Sequence, residues 1–438
     1  MKTVTNLSRR TFLKATAAAT GALVIGFRLG ETAQAAPEDV VFNPNAWLEI
    51  NEAGEIIIQV PWSELGQGPL TAVPMLLADE LEVDFDVVQV RKAKNDPRFG
   101  NMGTGGSRSV RTSWDPVRKA GAAARVMLLT AASEKWKVPV GECRTEKGII
   151  THAKTGETFT FGEVAAHAAT LGVPSDIPLK PRDKRHIIGH SVPRKDTPDK
   201  VNGVAEFGLD VRLEGMLFAS VERSPILEGK VKSFDDSAAL AIPGVRQVVE
   251  IETGVAVVAD HSWAALEGRR ALRLEWDEGP RATLETASIT KSLADQDTHP
   301  SPVMRQDGDT EAALAAAART VAAVYELPYL SHSPMETMNC TARITGDRCE
   351  VWAPIQSVTW GAGVAAQFAG VPRENVTLQP TYAGGGFGRR LMVDYVAETV
   401  QIAKATGKPI QMFMTREDNT RFGRYRPASR HTFSAALD

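Results

Sequence analysis

Glycine is concentrated at three places where a helix is due to begin. Gly66-Gln67-Gly68 stands directly before Pro69. Gly103-Thr104-Gly105-Gly106-Ser107 lies a short distance ahead of a helix expected from near Asp115. Gly384-Gly385-Gly386-Phe387-Gly388 leads into a run expected to turn helical at about Arg390. Glycine weakens regular structure and costs backbone entropy on folding, so a tight turn or a close ligand must compensate. A helix N-terminus presents unpaired N–H groups and a partial positive charge, and glycine lets them approach a phosphate or an oxo group. Taken singly, each loop reads as a plain strand-to-helix turn. Three in one chain point to a large polar ligand with several phosphates.

The commoner chemistries fail on spacing. Arg389 stands where G-x-G-x-x-G starting at Gly384 needs glycine, and no G-K-[ST] follows, so neither a dinucleotide fingerprint nor a Walker loop is present. GGSRS at 105–109 and GHSVP at 189–193 lack the closing glycine of a nucleophile elbow. The three cysteines, Cys143, Cys340 and Cys349, form no C-x-x-C pair and cannot by themselves supply the four thiolates of an iron–sulfur cluster. They read as small buried apolar residues, and a disulfide framework is not expected. No H-E-x-x-H occurs among the eight histidines, so no metal held by protein side chains is expected.

The elements that must position these loops read as α+β. Residues 46–60 alternate apolar and polar around Asn51-Glu52-Ala53-Gly54, a hairpin pattern. A helix follows Pro69, a strand covers VVQVRKA, and a long helix runs from about Asp115 to Trp136 with Ala120, Ala123, Ala124 and Leu128 on a small-residue face. The proline- and charge-rich stretch 177–200 reads as a linker. Beyond it, a unit from 197 to 280 is expected to carry strands at AEFGLDV, GMLFASVE, VRQVVEI and GVAVVAD and helices at SFDDSAALAI and SWAALEGRRAL. A polar stretch at 281–308 separates it from a last region, 309–438, which stops at RHTFSAALD in what reads as mid-strand and therefore as an incomplete domain. Composition is ordinary for a globular chain, 43% hydrophobic and 24% charged, and a net charge of −3 gives no reason to expect nucleic-acid binding. Residues 1–35 have the form of a twin-arginine export signal: Ser8-Arg9-Arg10-Thr11-Phe12-Leu13-Lys14, a short apolar run, then Ala33-Gln34-Ala35. That run is too short to span a bilayer comfortably. The expectation is a periplasmic protein that is not integral to the membrane. Export of folded protein suits an enzyme that loads a complex cofactor beforehand.

Several motifs together resemble the xanthine oxidase family of molybdenum hydroxylases. AGGGFGRR at 383–390 is similar to that family's glycine–phenylalanine loop and SELGQG at 63–68 to its E-x-G-Q-G motif. HSPMETMNCTA at 332–342 and WAPIQS at 352–357 resemble its H-x-x-M-E-P and W-x-x-T-Q segments, and 197–280 its small hammerhead domain. The G-Q-G motif here precedes the glycine–phenylalanine loop. This permuted order resembles the branch of isoquinoline 1-oxidoreductase and periplasmic aldehyde dehydrogenases. Residues 36–180 would then be a permuted molybdopterin-binding domain.

The resemblance implies molybdenum held by a pterin dithiolene, in a cytosine dinucleotide form. Gly66, Gln67, Gly68, Gly105, Gly106, Ser107 and Ser109 would contact the pterin and its phosphates. Gln356 would donate to an oxo ligand. Gly385, Gly386, Phe387 and Gly388 would pack beside the metal and substrate. Leu391 stands where many members carry a purine-orienting glutamate, so xanthine is not the expected substrate, and Arg424 or Arg426 is a pocket candidate. Thr337 and Ile355 depart from the family's proline and threonine. The family's G-x-G-E base does not occur and is expected beyond Asp438, while Glu64 and Glu336 read as structural. The implied reaction hydroxylates an aldehyde or N-heteroaromatic carbon with water. Its partners would be a small two-cluster iron–sulfur subunit and, further along, a cytochrome. Two other readings stand beside this one: an incomplete subunit that binds a partner without turnover, and a binding protein for a phosphorylated ligand.

Overall fold

The computed structural model describes residues 23–26, 46–299 and 301–437. The apolar and cleavage parts of the expected export signal lie almost wholly outside these residues. The described chain divides into two compact units, one of residues up to Met216 with Met338–Met412, the other of Leu217–Thr337 with Phe413 onward.

The first unit opens with a four-stranded sheet in sequential order: β1 (Leu23–Gly26), β2 (Ala46–Ile50), β3 (Ile56–Val60) and β4 (Val88–Lys92). β2 and β3 form the expected hairpin, with Ile50 opposite Ile56. β3 and β4 run parallel, which requires a crossover, and α1 (Pro69–Leu81) supplies it. Pro69 takes the first helical position, where its missing N–H costs nothing, and Gly68 caps the helix at φ 89°. The long α2 (Trp114–Trp136) lies against α1 through its small residues. Ala120, Ala123, Ala124 and Leu128 are fully buried, and a Cβ at Gly121 would come within 2.4 Å of the Leu77 carbonyl. A small antiparallel sheet, β5 (Cys143–Glu146), β6 (Ile149–His152) and β7 (Thr158–Thr160), and α3 (Phe161–Ala168) complete this half. Strands β8 (Asn339–Thr345), β9 (Arg348–Ala353), β10 (Val376–Pro380) and β11 (Ile410–Phe413) lie in the order β11-β8-β9-β10, with α4 (Val358–Ala369) and α5 (Asp394–Thr406) between them in sequence.

The stretch read as a linker is a fixed strap. Lys180 sends its ammonium to Asp79 (3.1 Å) and its backbone N–H to Glu80 (3.0 Å). The backbone N–H groups of His186 and Ile188 also donate to Asp79, and Arg118 of α2 pairs with Glu80 at 2.6 Å. Asp79 and Glu80 are buried, so these partners are obligatory for a charge removed from water. Proline and charge marked a region whose regular structure is limited to a 3₁₀ turn at Arg182–Lys184 and a short helix at Thr197–Val201; long-range pairing to α1 could not be read from them.

AEFGLDV, expected as a strand, is instead a turn with a short 3₁₀ segment at Gly208–Asp210 in the first unit. Asp210 caps it by accepting from Phe207 N–H at 3.0 Å. Gly208 presses so closely on Asn339 and Pro354 that a Cβ would lie 2.1 Å from Asn339 Oδ1. The second compact unit starts at Leu217. SFDDSAALAI, expected as helix, begins as a strand (Lys230–Asp235), because Phe234 packs onto the core of Val255 and Val257; only Ser237–Leu240 is helical. The second unit otherwise holds the antiparallel strands Leu217–Arg223, Gly254–Ala259 and Val245–Ile251, and a ribbon of Arg319–Leu327 with Ser429–Leu437.

Candidate functional site

The three glycine loops converge in the first unit, and Gln356 is the residue that joins two of them. Pro354 to Gln356 leave the end of β9, and Gln356 is 4% exposed. Its backbone N–H donates to the Arg390 carbonyl (2.9 Å) and its carbonyl accepts from Thr104 N–H (2.7 Å). Its side-chain Nε2 donates to the Thr104 carbonyl (2.8 Å), and Oε1 accepts from Gly388 N–H (3.1 Å). An amide nitrogen carries two hydrogens, so a second Nε2 donor remains. Gly386 lies flat against this side chain: a Cβ there would be 2.6 Å from Gln356 Oε1 and 3.4 Å from Leu65 of the first loop. The first loop is drawn in further by Ser63 N–H to Thr104 Oγ1 (2.8 Å) and by Ala383 N–H to the Glu64 carbonyl (3.3 Å). Leu391 sits 3.6 Å from where a Cβ would be on Gly105.

Two expectations about helix N-termini need correction. At Gly66-Gln67-Gly68 the amides face inward. Gly66 N–H and Gly68 N–H donate to Glu64 Oε1 at 2.8 and 3.2 Å, so a buried carboxylate already occupies the anion position at the start of α1. Gln67 bends back on its own loop, accepting from Leu65 N–H and donating to the Ser63 carbonyl. The loop at 103–107 stands ahead of α2, which starts at Trp114 close to the expected Asp115, whereas no α-helix begins at Arg390. Residues 105–113 form turns before α2, and a 3₁₀ turn at Arg389–Leu391 precedes α5, which starts at Asp394. Buried arginines cause this last delay. Arg389 pairs with Asp394 through two bonds of 2.8 Å. Arg390 reaches back to the Gly385 carbonyl (2.7 Å) and the Pro354 carbonyl (3.1 Å).

The exposed parts of the loops are strained backbone. Ser107 and Phe387 adopt left-handed conformations at φ 52° and 54°, unfavourable for residues with a Cβ. Phe387 is 60% exposed, while Gly106 (φ 59°) and Gly385 (φ 86°) take the same hand without penalty. Ser109 gives its carbonyl to the Ser113 hydroxyl. Arg424 and Arg426 belong to the second unit, where both are exposed and Arg426 is bonded through its backbone to Leu330. Glu336 and Thr337 also fall in that unit.

Residues outside the sequence-based set contribute to the site. Thr104 supplies three of the bonds at the convergence, and its only visible signal was its place among glycines. Arg194, from the strap, donates to the Gly66 carbonyl (2.8 Å), to Glu64 (3.3 Å) and to Asp196 (2.9 and 2.7 Å). Burial alone would raise the Asp196 carboxyl, but the bonds from Arg194 and Lys200 outweigh it and hold it down at about 2. Lys92 and Lys200 place their ammonium groups 3.9 and 5.2 Å from the centroid of the Tyr382 ring. Burial pushes Lys92 down to about 8 and Tyr382 up to about 12. Cys340 and Cys349 are buried thiols raised by desolvation, inert as nucleophiles or metal ligands. Among the described residues no group of three or more His, Cys, Asp or Glu could hold a metal ion, and no helix is long and apolar enough to cross a membrane.

A group that brings its own metal ligands fits this donor set. Ser63 is 2% exposed, and among the described residues nothing bonds to its Oγ, an orphaned polar atom beside Thr104. With it come the second Gln356 Nε2 hydrogen and bare glycine backbone.

Comparison with known proteins gives the same direction. The family described as molybdopterin cofactor-binding domain matches twice, over residues 8–211 and 295–438. The chain is 30% identical to the beta chain of isoquinoline 1-oxidoreductase from Brevundimonas diminuta, over 98% of this chain and 62% of that one. It is 31% identical to the membrane-bound aldehyde dehydrogenase [pyrroloquinoline-quinone] of Gluconacetobacter polyoxogenes, over 99% and 59%. The molybdenum-binding subunit of an aldehyde oxidoreductase from Escherichia coli is 27% identical over 57% of this chain and 38% of its own. The chain thus spans about three-fifths of the length of the first two relatives.

Proposed function

The chain belongs to the xanthine oxidase family of molybdopterin-binding subunits, and on that premise we propose that its converged loops hold a molybdenum–pterin cofactor in a periplasmic hydroxylase of aldehydes or N-heteroaromatic rings. The observation that carries this reading is the joining of Thr104, Gly386 and Gly388 around the buried amide of Gln356. Bound there, the cofactor would supply the two-electron redox chemistry by which a carbon is hydroxylated with oxygen from water.

The chain's own residues bind and orient. Gln356 is fixed at both side-chain atoms, so its remaining Nε2 hydrogen points in one direction and costs no reorganisation when it meets an acceptor. Gly105, Gly106, Ser107 and Ser109 offer backbone and hydroxyl donors to pterin and phosphate, with Ser63 Oγ added. Gly66, Gln67 and Gly68 act through loop shape, because Glu64 holds the Gly66 and Gly68 amides and the Gln67 side chain is bonded back onto its own loop. Phe387 offers an exposed aromatic face to a flat substrate, and Leu391 closes the Gly105 side with an apolar contact. Glu64 is committed to loop amides and Arg194, so it is not assigned as a base. The reading extends to a cytosine dinucleotide form, a two-cluster iron–sulfur partner and a cytochrome acceptor, in keeping with relatives that are themselves named as single subunits of larger enzymes.

The test is metal and pterin analysis of the protein purified with its co-expressed partners. About one molybdenum and one pterin per chain are expected, both falling in Gln356→Ala. Pyrroloquinoline quinone in their place, or a phosphorylated ligand without metal, would overturn the proposal.

A further inference from the structure

β4 and the residues after it, with Gln59 on β3 and Thr377 on β10, enclose a cleft of about 420 Å³ in the first unit. That volume is in the range of small-molecule sites. No residue of the three glycine loops lines it. Its walls carry three cations, Arg91, Lys92 and Lys94, and among the described residues none of the three forms an ion pair. Its one carboxylate, Asp96, is already neutralised by Arg98, which donates to it from Nε (2.8 Å) and from the backbone (2.9 Å). Lys92 lies in the field of Glu206 and Asp199, so Arg91 and Lys94 supply the net positive charge.

The walls are fixed. Asn95 donates from its side chain to the Val376 carbonyl (2.9 Å) and from its backbone to the Leu378 carbonyl (3.1 Å), locking the segment after β4 onto β10. Gln59 and Arg91 are partners across the parallel β3–β4 pair. Phe99, 2% exposed and packed on Trp47, forms an apolar floor. Cations gathered around one fixed cleft favour an anion bound between them.

We propose that this cleft binds a small polyanion carrying phosphate or carboxylate groups, at a site separate from the cofactor loops. Arg91 offers a fork suited to two oxygens, Lys94 a mobile point charge, and Gln59 and Thr377 neutral hydrogen bonds.

Isothermal titration with inorganic pyrophosphate at low ionic strength tests this on the purified protein. One saturable site is expected. The exposed double variant Arg91→Gln/Lys94→Gln should weaken it by about 100-fold, about tenfold for each charge removed. Lys154→Gln, an exposed cation paired with Glu142, should leave binding unchanged. Absence of a saturable site, or equal weakening in Lys154→Gln, overturns the proposal. Molybdenum and pterin content measured on the same samples separates it from the cofactor reading. Unchanged content with lost pyrophosphate binding supports a second site. Content lost together with pyrophosphate binding makes the cleft part of the cofactor site and overturns the inference.

Discussion

Replacing Gly386 with alanine tests the convergence of the loops at a single atom. Gly386 is not in the left-handed region, so alanine adds steric demand without backbone strain. The added Cβ would lie 2.6 Å from Gln356 Oε1 and 3.2 Å from its Cδ. Real Cβ contacts are essentially never shorter than 3.0 Å, so the amide must move. Moving it breaks Gly388 N–H to Oε1 and Nε2 to the Thr104 carbonyl. Two hydrogen bonds at about 1 kcal/mol each, plus about 1–2 kcal/mol for a buried carbonyl losing that donor, give a local cost of about 3–4 kcal/mol. Amide hydrogen exchange reads this directly. The Gly388 amide should exchange roughly 100- to 1,000-fold faster in Gly386→Ala, while residues 143–152 keep their protection. Gly141→Ala, with open space around its Cβ, serves as the neutral control. Unchanged protection at Gly388 would refute the role given to Gln356.

Three further outcomes follow from other parts of the fold. Gly121→Ala drives a Cβ to within 2.4 Å of the Leu77 carbonyl, and the backbone cannot yield cheaply, so thermal unfolding should report a loss of about 2–3 kcal/mol. Asp196, depressed from 3.8 to about 2, contributes stability that is complete above pH 3.8 and lost as pH falls through 2. Urea unfolding at pH 5 and pH 2.5 should show a smaller acid loss for Asp196→Asn than for wild type. Lys92 is depressed from 10.5 to about 8, so the folded chain holds fewer protons than the unfolded chain between those values, and its contribution rises with pH across that window. Lys92→Met should therefore gain stability over wild type at pH 7, with the difference shrinking by pH 10.

Local chemistry was legible in the sequence, and long-range closure was not. The β2–β3 hairpin, the proline start of α1 and the alanine face of α2 were visible because each is set by residues a few positions apart. The glycine loops were visible as glycine, but their purpose depends on who bonds to them. Glu64 filling the α1 terminus is a contact across two to six residues that motif spacing does not announce. Arg194 reaches the same loop from 128 residues away. Arg390 follows directly on a glycine loop, yet it is fully buried, donating to the Gly385 and Pro354 carbonyls, contacts that its place in the sequence does not announce. The strap at 177–200 looked like a linker because proline and charge describe its backbone and not the buried carboxylates of α1 that hold it. The strand expected at AEFGLDV fell to the close packing of Gly208 on Asn339, which no local pattern encodes.

The central claim is that Gln356 and the loops it joins are a cofactor cradle. An experimental structure of the protein purified with its partners and its cofactor tests it most directly. The account predicts pterin density against residues 103–107 and 384–388, within hydrogen-bond reach of Gln356 Nε2. A cofactor bound elsewhere in the chain, with Gln356 bonded only to Thr104 and Gly388, would contradict it.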